Sequence, residues 1–241
     1  FWNRFIFPST VNTRREKIFR PRLNKILDIT SKYKIHQKNL LEVGAGYGIF
    51  CKLAIQSNKF DSVTAIEPSS DLAKSCIEKN INTIPLPIED YNTDRIFDVI
   101  VSFEVIEHLS DPELFLRKCN SLLAEGGLCI CTTPNSLSAE RFLLGDYSKT
   151  FDHEHINSFN TNSIRLLFER IGFVVEEITT PGEIDADIIH NTLVEKSLLL
   201  DKNPIWDYLF LKDWPKYKQL VQSFLVEAGL SSNMWVVARK K

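Results

Sequence analysis

The stretch that decides the fold is Leu40-Leu41-Glu42-Val43-Gly44-Ala45-Gly46-Tyr47-Gly48. A short apolar run leads into three glycines spaced two apart, and a segment with helical spacing follows. Because glycine adopts positive φ and has no Cβ, such a backbone can approach a ligand closely. The spacing differs from the dinucleotide fingerprint GxGxxG, and the loop lacks the Lys-Ser/Thr pair of a phosphate-binding loop. A plain tight turn also explains three glycines, so the surrounding sequence has to decide the interpretation.

Strands and helices alternate around this loop. The sequence predicts buried strands at 39–43, 62–66 and 97–103, a weak strand at 83–84 and a further strand at 128–133. Helices are predicted at 49–57, from Pro68-Ser69 to about Asn80, and from Pro112 to Gly126-Gly127. This order predicts an α/β fold, doubly wound, with a mostly parallel sheet.

The pattern changes after Pro134. Residues 135–160 are predicted as a polar loop, followed by a helix at 161–171 and a strand at 173–180; two helical patterns then meet near Lys202-Asn203-Pro204, and 231–239 is the last strand. We expect the two final strands to form an antiparallel edge that encloses a helical cap. The expected divisions are a basic helical segment (1–35), a core (36–180 and 230–241) and the cap (181–229).

Composition narrows the class of protein. The chain has 241 residues, of which 44% are hydrophobic and 25% charged, which excludes a disordered chain and fits one large domain. With 29 basic and 31 acidic side chains, a nucleic-acid footprint over the whole surface is disfavoured. No apolar run reaches the roughly 18 residues of a membrane helix. The five cysteines form no CxxC pair, so we expect reduced core thiols and a cytoplasmic protein.

Acidic residues accompany the glycine loop at the carboxyl ends of the predicted strands. Glu67 ends the second strand, where a carboxylate can accept both hydroxyls of a ribose. Glu89 and Asp90, after the third strand, are placed to reach a purine amino group, and Ile88 can pack on the base. Ligands of open α/β sheets bind at this edge. A nucleoside-containing cofactor is therefore expected.

Four segments resemble the motifs of class I S-adenosylmethionine-dependent methyltransferases. They are the glycine loop (40–48), Glu67-Pro68-Ser69, the strand 97–102 and the stretch 122–128. The likeness runs from about Leu40 to Thr180, and 231–239 resembles the family's last strand. It implies a Rossmann-like methyltransferase fold with a seven-stranded sheet in the order 3-2-1-4-5-7-6.

The resemblance also implies a cofactor site. Glu42 and the glycine loop would hold the methionine part of S-adenosylmethionine, and Glu67 would bind its ribose. An acidic pocket suits a cationic sulfonium better than a pyrophosphate. The expected cofactor-binding residues are Glu42, Gly44, Ala45, Gly46, Tyr47, Gly48, Glu67, Pro68, Ile88, Glu89 and Phe103.

A second group of polar residues follows the fourth strand. In a helix, Glu104, Glu107 and His108 would share one face, and His153-Glu154-His155 lies in the neighbouring loop. Such side chains suit Mg²⁺, Mn²⁺ or Zn²⁺, which makes Glu104, Glu107, His108 and His155 candidate metal ligands. His108 or His155 is also a candidate general base, and Glu104 a candidate catalytic residue.

The Glu-x-x-Glu-His segment leaves several interpretations open. It resembles segments of two metal-using groups, the small-RNA 2′-O-methyltransferases and the ubiquinone-pathway O-methyltransferases. It also resembles bacterial small-molecule and glycan methyltransferases with no established metal. In that case Glu104 would border the cofactor, Glu107 would form a surface pair and His108 would line the pocket. We therefore expect Mg²⁺ or Mn²⁺ at this segment, and a methyltransferase that uses no metal is the alternative.

The acceptor is indicated only by resemblance. Thr132-Thr133-Pro134-Asn135 and the segment 152–159 resemble a bacterial group often encoded with surface-polysaccharide and secondary-metabolite genes. That implies a small-molecule hydroxyl, above all on a sugar or nucleotide-sugar. RNA 2′-O-methylation or quinone metabolism are the alternatives, and nucleic acid is disfavoured by the balanced charge. A catalytically silent cofactor-binding module or a nicotinamide oxidoreductase stays open as a third class.

Two segments outside the family motifs are the candidates for substrate selection. The basic stretch 14–25 could hold a nucleotide diphosphate, or it could be a solvated helix face. The aromatic residues of 205–224 could form a core, a homodimer interface through the cap, or a platform for a sugar ring.

Overall fold

A seven-stranded sheet forms the centre of the computed structural model, which describes residues 7–36, 38–148, 150, 154–200 and 203–241. His153 and Lys202, singled out above, lie outside the described residues. The strands are β1 (Asn39–Val43), β2 (Ser62–Ile66), β3 (Asn82–Ile84), β4 (Phe97–Phe103), β5 (Leu123–Pro134), β6 (Phe173–Thr179) and β7 (Asn233–Lys240). Their order is β3-β2-β1-β4-β5-β7-β6, which confirms the predicted order.

Ten α-helices surround the sheet in the described part of the chain. They are α1 (Phe7–Arg14), α2 (Arg20–Lys32), α3 (Ile49–Ser57), α4 (Ser70–Glu78), α5 (Pro112–Leu122), α6 (Ala139–Leu144), α7 (Thr161–Ile171), α8 (Asp185–Glu195), α9 (Pro204–Asp207) and α10 (Trp214–Glu227). A π-helical turn (Arg15–Phe19) joins α1 to α2. β7 runs antiparallel to β5 and β6, while the other pairs are parallel. The doubly wound architecture is confirmed.

The sheet is buried on both faces, as the apolar strands predict. Helices α2 and α3 cover one face, where Ile26 and Phe50 are fully buried. Helices α5 and α7 cover the other face, around Phe115 and Phe168. Burying such side chains stabilises the fold by about 2 kcal/mol each. Helix α2 of the N-terminal segment is therefore part of the same core as the sheet, and its basic side chains lie on the face of the helix outside that core.

Two elements differ from the sequence prediction. The helix predicted to reach Gly126-Gly127 ends at Leu122, and both glycines lie within β5 beside a register shift against β4. At Gly127 a Cβ would lie 2.9 Å from the oxygen of Ala124, so the glycine pair serves the irregular strand and does not end the helix. The predicted loop 135–160 contains the short helix α6, whose first turn is capped by Ser138.

Helices between β6 and β7 form the predicted cap. Its core contains Phe210, which is fully buried, with Trp206, Trp214 and Tyr217 packed against it. Most of the aromatic stripe is thus core, while Tyr208 and Phe224 stay exposed. Within the described residues, no helix combines the length and the hydropathy that crossing a bilayer requires.

Candidate functional site

The glycine loop sits at the carboxyl end of β1 in a backbone conformation that requires glycine. Gly44 has φ of +78°, and a Cβ there would lie 2.5 Å from Cγ2 of Val105. Gly46 also has positive φ, +54°, but nothing lies within 4 Å of its Cβ position. The first glycine therefore lets the loop pack against the chain after β4, while the second leaves space for a ligand.

Glu67 holds this loop from the end of β2. Its carboxylate accepts hydrogen bonds from the backbone N–H of Gly46 at 2.7 Å and of Ser69 at 2.9 Å, one at each oxygen. Each carboxylate oxygen has a second acceptor position, so the pair can still accept two ribose hydroxyls. Glu67 directly follows β2, and its role toward a ribose stays a prediction.

A cavity of about 270 Å³ opens beside the loop. It is lined by seven residues that the sequence singled out and by six more from the N-terminal helix, α3 and α4. The lining residues are Glu42, Gly44, Ala45, Gly46, Tyr47, Phe103 and Glu104, together with Arg14, Ile18, Phe19, Arg22, Ile49 and Leu72. We call this the cofactor cavity.

Glu42 is the buried acid of the cofactor cavity. Only 2% of its surface is exposed, and its carboxylate accepts a hydrogen bond from the N–H of Cys51 at 3.1 Å. Burial raises the pKa of Glu42 to about 8. A neutral acid is favoured while no cation is near, and a bound cation would favour the carboxylate.

Five expected cofactor residues, Glu67 and four others, do not line the cavity. Gly48 is the N-cap residue before α3, and a Cβ there would meet Ile81 and Cys76. Pro68 is exposed after Glu67. Ile88 packs in the core and Glu89 follows it in a short 3₁₀ turn beyond β3. Their roles toward the cofactor stay predictions.

Arg22 is a site residue that the sequence did not single out individually. Its guanidinium lies 4.7 Å from the centroid of Phe103, and Nη2 lies 3.4 Å from Oε1 of Glu104. Both partners are about 80 positions away in the chain. The only local signal was helical spacing, since Ile18 and Arg22 share one face of the basic segment.

Glu104 ends β4 in a left-handed conformation, with φ of +55°. Its Oε1 accepts hydrogen bonds from Thr132 Oγ1 at 2.5 Å and Asn233 Nδ2 at 2.8 Å, besides the contact with Arg22. The helix expected over 104–108 is therefore wrong. Only a 3₁₀ turn, Ile106–His108, forms there, because the backbone N–H of Glu104 still bonds to Thr132 and the chain then reverses.

The side chains of Glu107, His108 and His155 nevertheless come together. Their ligand atoms lie within 4.8 Å of one another, and the two imidazole rings are in edge contact. Nδ1 of His108 lies 2.9 Å from the backbone carbonyl oxygen of Glu154, which accepts a hydrogen bond from Nδ1–H, so that Nε2 carries the lone pair of the neutral ring. The backbone N–H of Asn157 donates a hydrogen bond to the backbone carbonyl oxygen of Glu107, which holds the loop after β5 against the 3₁₀ turn. We call these three residues the Glu-His cluster.

Glu107 is buried in this cluster, with 1% of its surface exposed. Oε2 accepts a hydrogen bond from Thr133 Oγ1 at 3.0 Å, whereas Oε1 has no hydrogen-bond partner among the described residues. Burial, and then the charge of Glu104, raise the pKa of Glu107 to about 8. The interpretation of Glu107 as a surface pair is wrong, because a buried and incompletely satisfied carboxylate requires a proton or a cation.

A second cavity, of about 480 Å³, adjoins the first and shares Ile18, Arg22 and Glu104 with it. It lies between the N-terminal helix, the segment after β6 and the start of β7. We call it the outer cavity. Glu104 is therefore positioned between the two cavities.

Comparisons with known proteins agree with the fold and the loop. The family profile described as "Methyltransferase domain" matches residues 12–178. A relative from Rickettsia felis, named "Ubiquinone biosynthesis O-methyltransferase", is 26% identical over 188 residues, which is 69% of this chain and 77% of the relative. A protein of the same name from Rickettsia bellii is 25% identical over 194 residues, 75% and 78% of the two chains.

Solved structures show the same architecture. The crystal structure of a SAM-dependent methyltransferase from Archaeoglobus fulgidus superposes with a TM-score of 0.65 at 18% identity, over 98% of this chain and all of that one. At this identity the likeness concerns the fold alone. With the family profile covering more than half of the chain and the sheet order in agreement, this chain belongs to the class I S-adenosylmethionine-dependent methyltransferases.

Proposed function

We propose that this chain transfers the methyl group of S-adenosylmethionine to a hydroxyl oxygen of a small molecule, with a divalent cation at the Glu-His cluster. The observation that carries the proposal is the buried Oε1 of Glu107, which accepts no hydrogen bond and faces two imidazoles. The names of the relatives, which are O-methyltransferases, support oxygen as the acceptor atom.

Residues of the chain divide the work of binding the cofactor. S-Adenosylmethionine, when bound, supplies a methyl group already activated on a sulfonium. Glu67 would accept the ribose hydroxyls, and Glu42 would offset the positive charge of the ligand. Arg22 lines the same cavity, and its guanidinium suits the carboxylate of the methionine part. Alignment of the acceptor with the methyl group is then the main requirement for rate.

The acceptor must also lose a proton. A divalent cation held by Glu107, His108 and His155 would lower the pKa of a nearby hydroxyl. Without a cation, the lone pair on Nε2 of His108 is available to accept that proton. Nε2 can therefore act either as a metal ligand or as the general base. Activity in the presence of a chelator distinguishes the two.

Glu104 is the fourth expected ligand. Its Oε1 is engaged by Arg22, Thr132 and Asn233, whereas Oε2 accepts no hydrogen bond within the described part of the chain. We therefore assign Glu104 first to positioning, between the cofactor cavity and the outer cavity. A role as a ligand through Oε2 is the alternative.

Two observations bear on the chemical class of the acceptor, and they favour different classes. The names of the relatives favour a phenolic hydroxyl of quinone metabolism, and the resemblance of 132–135 and 152–159 favours a sugar or nucleotide-sugar. The balanced charge disfavours RNA. All five cysteines are free and buried, which supports a reducing, cytoplasmic setting. A homodimer through the exposed part of the cap stays a proposal.

The test is a screen with methyl-labelled cofactor. Catechols and UDP-sugars are offered to the protein with EDTA, and again after Mg²⁺ or Mn²⁺ is added. We expect label on an acceptor oxygen, lost in EDTA and restored by the cation. Label on no hydroxyl of either class would contradict the proposal.

Histidine variants separate the roles within the cluster. His108→Ala and His155→Ala should each lower kcat by about 10²-fold, the usual scale for a general base or a metal ligand. The control is His36→Ala, because His36 is exposed before the start of β1. Unchanged activity in both cluster variants would exclude ligand and general-base roles together.

A further inference from the structure

The outer cavity contains the positive charge of Lys25, on which Glu177 acts only from beyond ion-pair distance, because Glu177 is paired with Lys32. Nζ of Lys25 lies 4.3 Å from the ring centroid of Trp235 and 3.5 Å from Oγ1 of Thr179. Among the described residues, no carboxylate oxygen lies within 4.0 Å of it. Lys25 is half-buried, and burial lowers its pKa. The face of the ring attracts the ammonium, but its partial desolvation still costs free energy that an anionic ligand would offset.

The acidic residues of the same cavity are mostly engaged elsewhere. Glu104 is taken up by Arg22, Thr132 and Asn233. Asp185 is buried and accepts hydrogen bonds from the N–H of Ser232 and from Gln222. Apart from these two acids, the charged residues that line the cavity include one exposed carboxylate, Glu183, and two ammonium groups, Lys17 and Lys25.

The walls around these charges are partly apolar. Ile184 and Ile188 line the cavity on the side of the cap, and Trp235 lines it on the side of the sheet. Arg22 and Glu104 form the boundary with the cofactor cavity, whereas Lys25 is one helical turn beyond Arg22. A molecule lying in the cavity would thus meet the methyl group at one end and an ammonium at the other.

We propose that the outer cavity is the acceptor subsite and that it selects a small molecule with an anionic group, a carboxylate or a phosphate, bound by Lys25. Lys17 adds to the positive field at the rim, and the apolar walls accept the ring of the molecule. The proposal rests on the proposed function, since it names the class of acceptor for that reaction. Both anions accept hydrogen bonds from an ammonium.

Binding of matched probes tests the proposal without turnover. The full chain, saturated with S-adenosylhomocysteine, is titrated with 3,4-dihydroxybenzoate and its neutral amide, and with glucose 1-phosphate and glucose. We expect at least one anionic probe to bind about tenfold more tightly than its neutral partner, as for a charge-assisted hydrogen bond. The pair that shows the preference identifies carboxylate or phosphate.

Variants assign the preference to one residue. Lys25→Gln should abolish it, Lys25→Arg should retain it, and the exposed Lys74 on α4 provides the control Lys74→Gln. Thermal melting by circular dichroism checks that each variant folds. Equal binding within both probe pairs, binding of neither probe, or an unchanged preference in Lys25→Gln would overturn the proposal.

The two proposals fail separately in these experiments. A preference that depends on Lys25, without methyl transfer to any hydroxyl, would refute the O-methyltransferase proposal and retain the anionic subsite. Equal methyl transfer to neutral and anionic acceptors would refute the anionic subsite and retain the O-methyltransferase proposal.

Discussion

The glycine loop with its cofactor cavity, here the cofactor side, and the proposed acceptor side, formed by the outer cavity and the Glu-His cluster, are built by different means. On the cofactor side, glycines and backbone N–H groups shape the loop, and Glu67 is fixed by two of those N–H groups. On the proposed acceptor side, the polar groups are long charged side chains and two imidazoles. They come from the N-terminal helical segment, the end of β4 and the loop after β5. The first arrangement cannot change without changing the fold. The second can change residue by residue, which suits a surface that defines the acceptor.

The largest effect expected on this contrast is that of Gly44→Ala. A Cβ would meet the stiff side chain of Val105, so strain in φ and a steric clash add to roughly 3 kcal/mol of unfolding free energy. Gly126→Ala is the matched control, because φ is also positive there, +76°, but nothing lies within 4 Å. It should cost about 1 kcal/mol. Urea unfolding checks both, and equal losses would contradict the close-packed loop.

The next effect concerns Glu67→Gln. Replacing the carboxylate should weaken S-adenosylmethionine binding by about 2 kcal/mol, roughly 30-fold, since hydrogen bonds to a charged group are lost. Glu89→Gln is the comparison, because Glu89 lies in the 3₁₀ turn beyond β3 and, unlike Glu67, accepts no hydrogen bond from the glycine loop among the described residues, so it should lose less. Calorimetric titration measures both. A larger loss in Glu89→Gln would place the ribose and adenine contacts elsewhere.

A smaller effect, with opposite signs in two assays, is expected for Glu42→Gln. Burial raises the pKa of Glu42 from its ordinary value of 4.5 to about 8, so the contribution of Glu42 to the stability of the cofactor-free protein is largest below about pH 4.5 and is lost as the pH rises to about 8. At pH 8 the amide should raise the unfolding free energy, because it stays uncharged when buried without binding a proton, and it should weaken cofactor binding.

Thermal melts from pH 5 to pH 9 measure the stability difference for Glu42→Gln. The exposed Glu125 provides the control Glu125→Gln, whose melting temperature should follow that of the natural chain. A Glu42→Gln variant that is less stable than the natural chain at pH 8 would contradict the buried neutral acid.

The sequence predicted the cofactor side well, because its signals are local. The bounds of β1, β2, β4, α3 and α7 follow from apolar runs, glycines and caps, and the structure confirms them. The position of Glu67 beside the glycine loop could be predicted because it directly follows a strand, and its role toward the cofactor stays a prediction. The acceptor side depends on contacts between distant segments, such as Arg22 with Glu104, which no local pattern reveals.

The errors have the same origin. Glu104, Glu107 and His108 look helical in sequence, but the hydrogen bond from Glu104 to Thr132 keeps the chain in the sheet for one more residue. Their convergence with His155 then results from the turn and the loop and not from a helix face. Gly126-Gly127 likewise resembles a helix stop, although its role is in an irregular strand.

The central claim is that the Glu-His cluster binds a divalent cation which serves methyl transfer to oxygen. Electron paramagnetic resonance of Mn²⁺, titrated into the protein with S-adenosylhomocysteine bound, measures this directly. The account predicts about one tightly bound Mn²⁺ per natural chain and a 10- to 100-fold weaker site in Glu107→Gln. No tightly bound Mn²⁺ in the natural chain, or the same binding in Glu107→Gln, would contradict it.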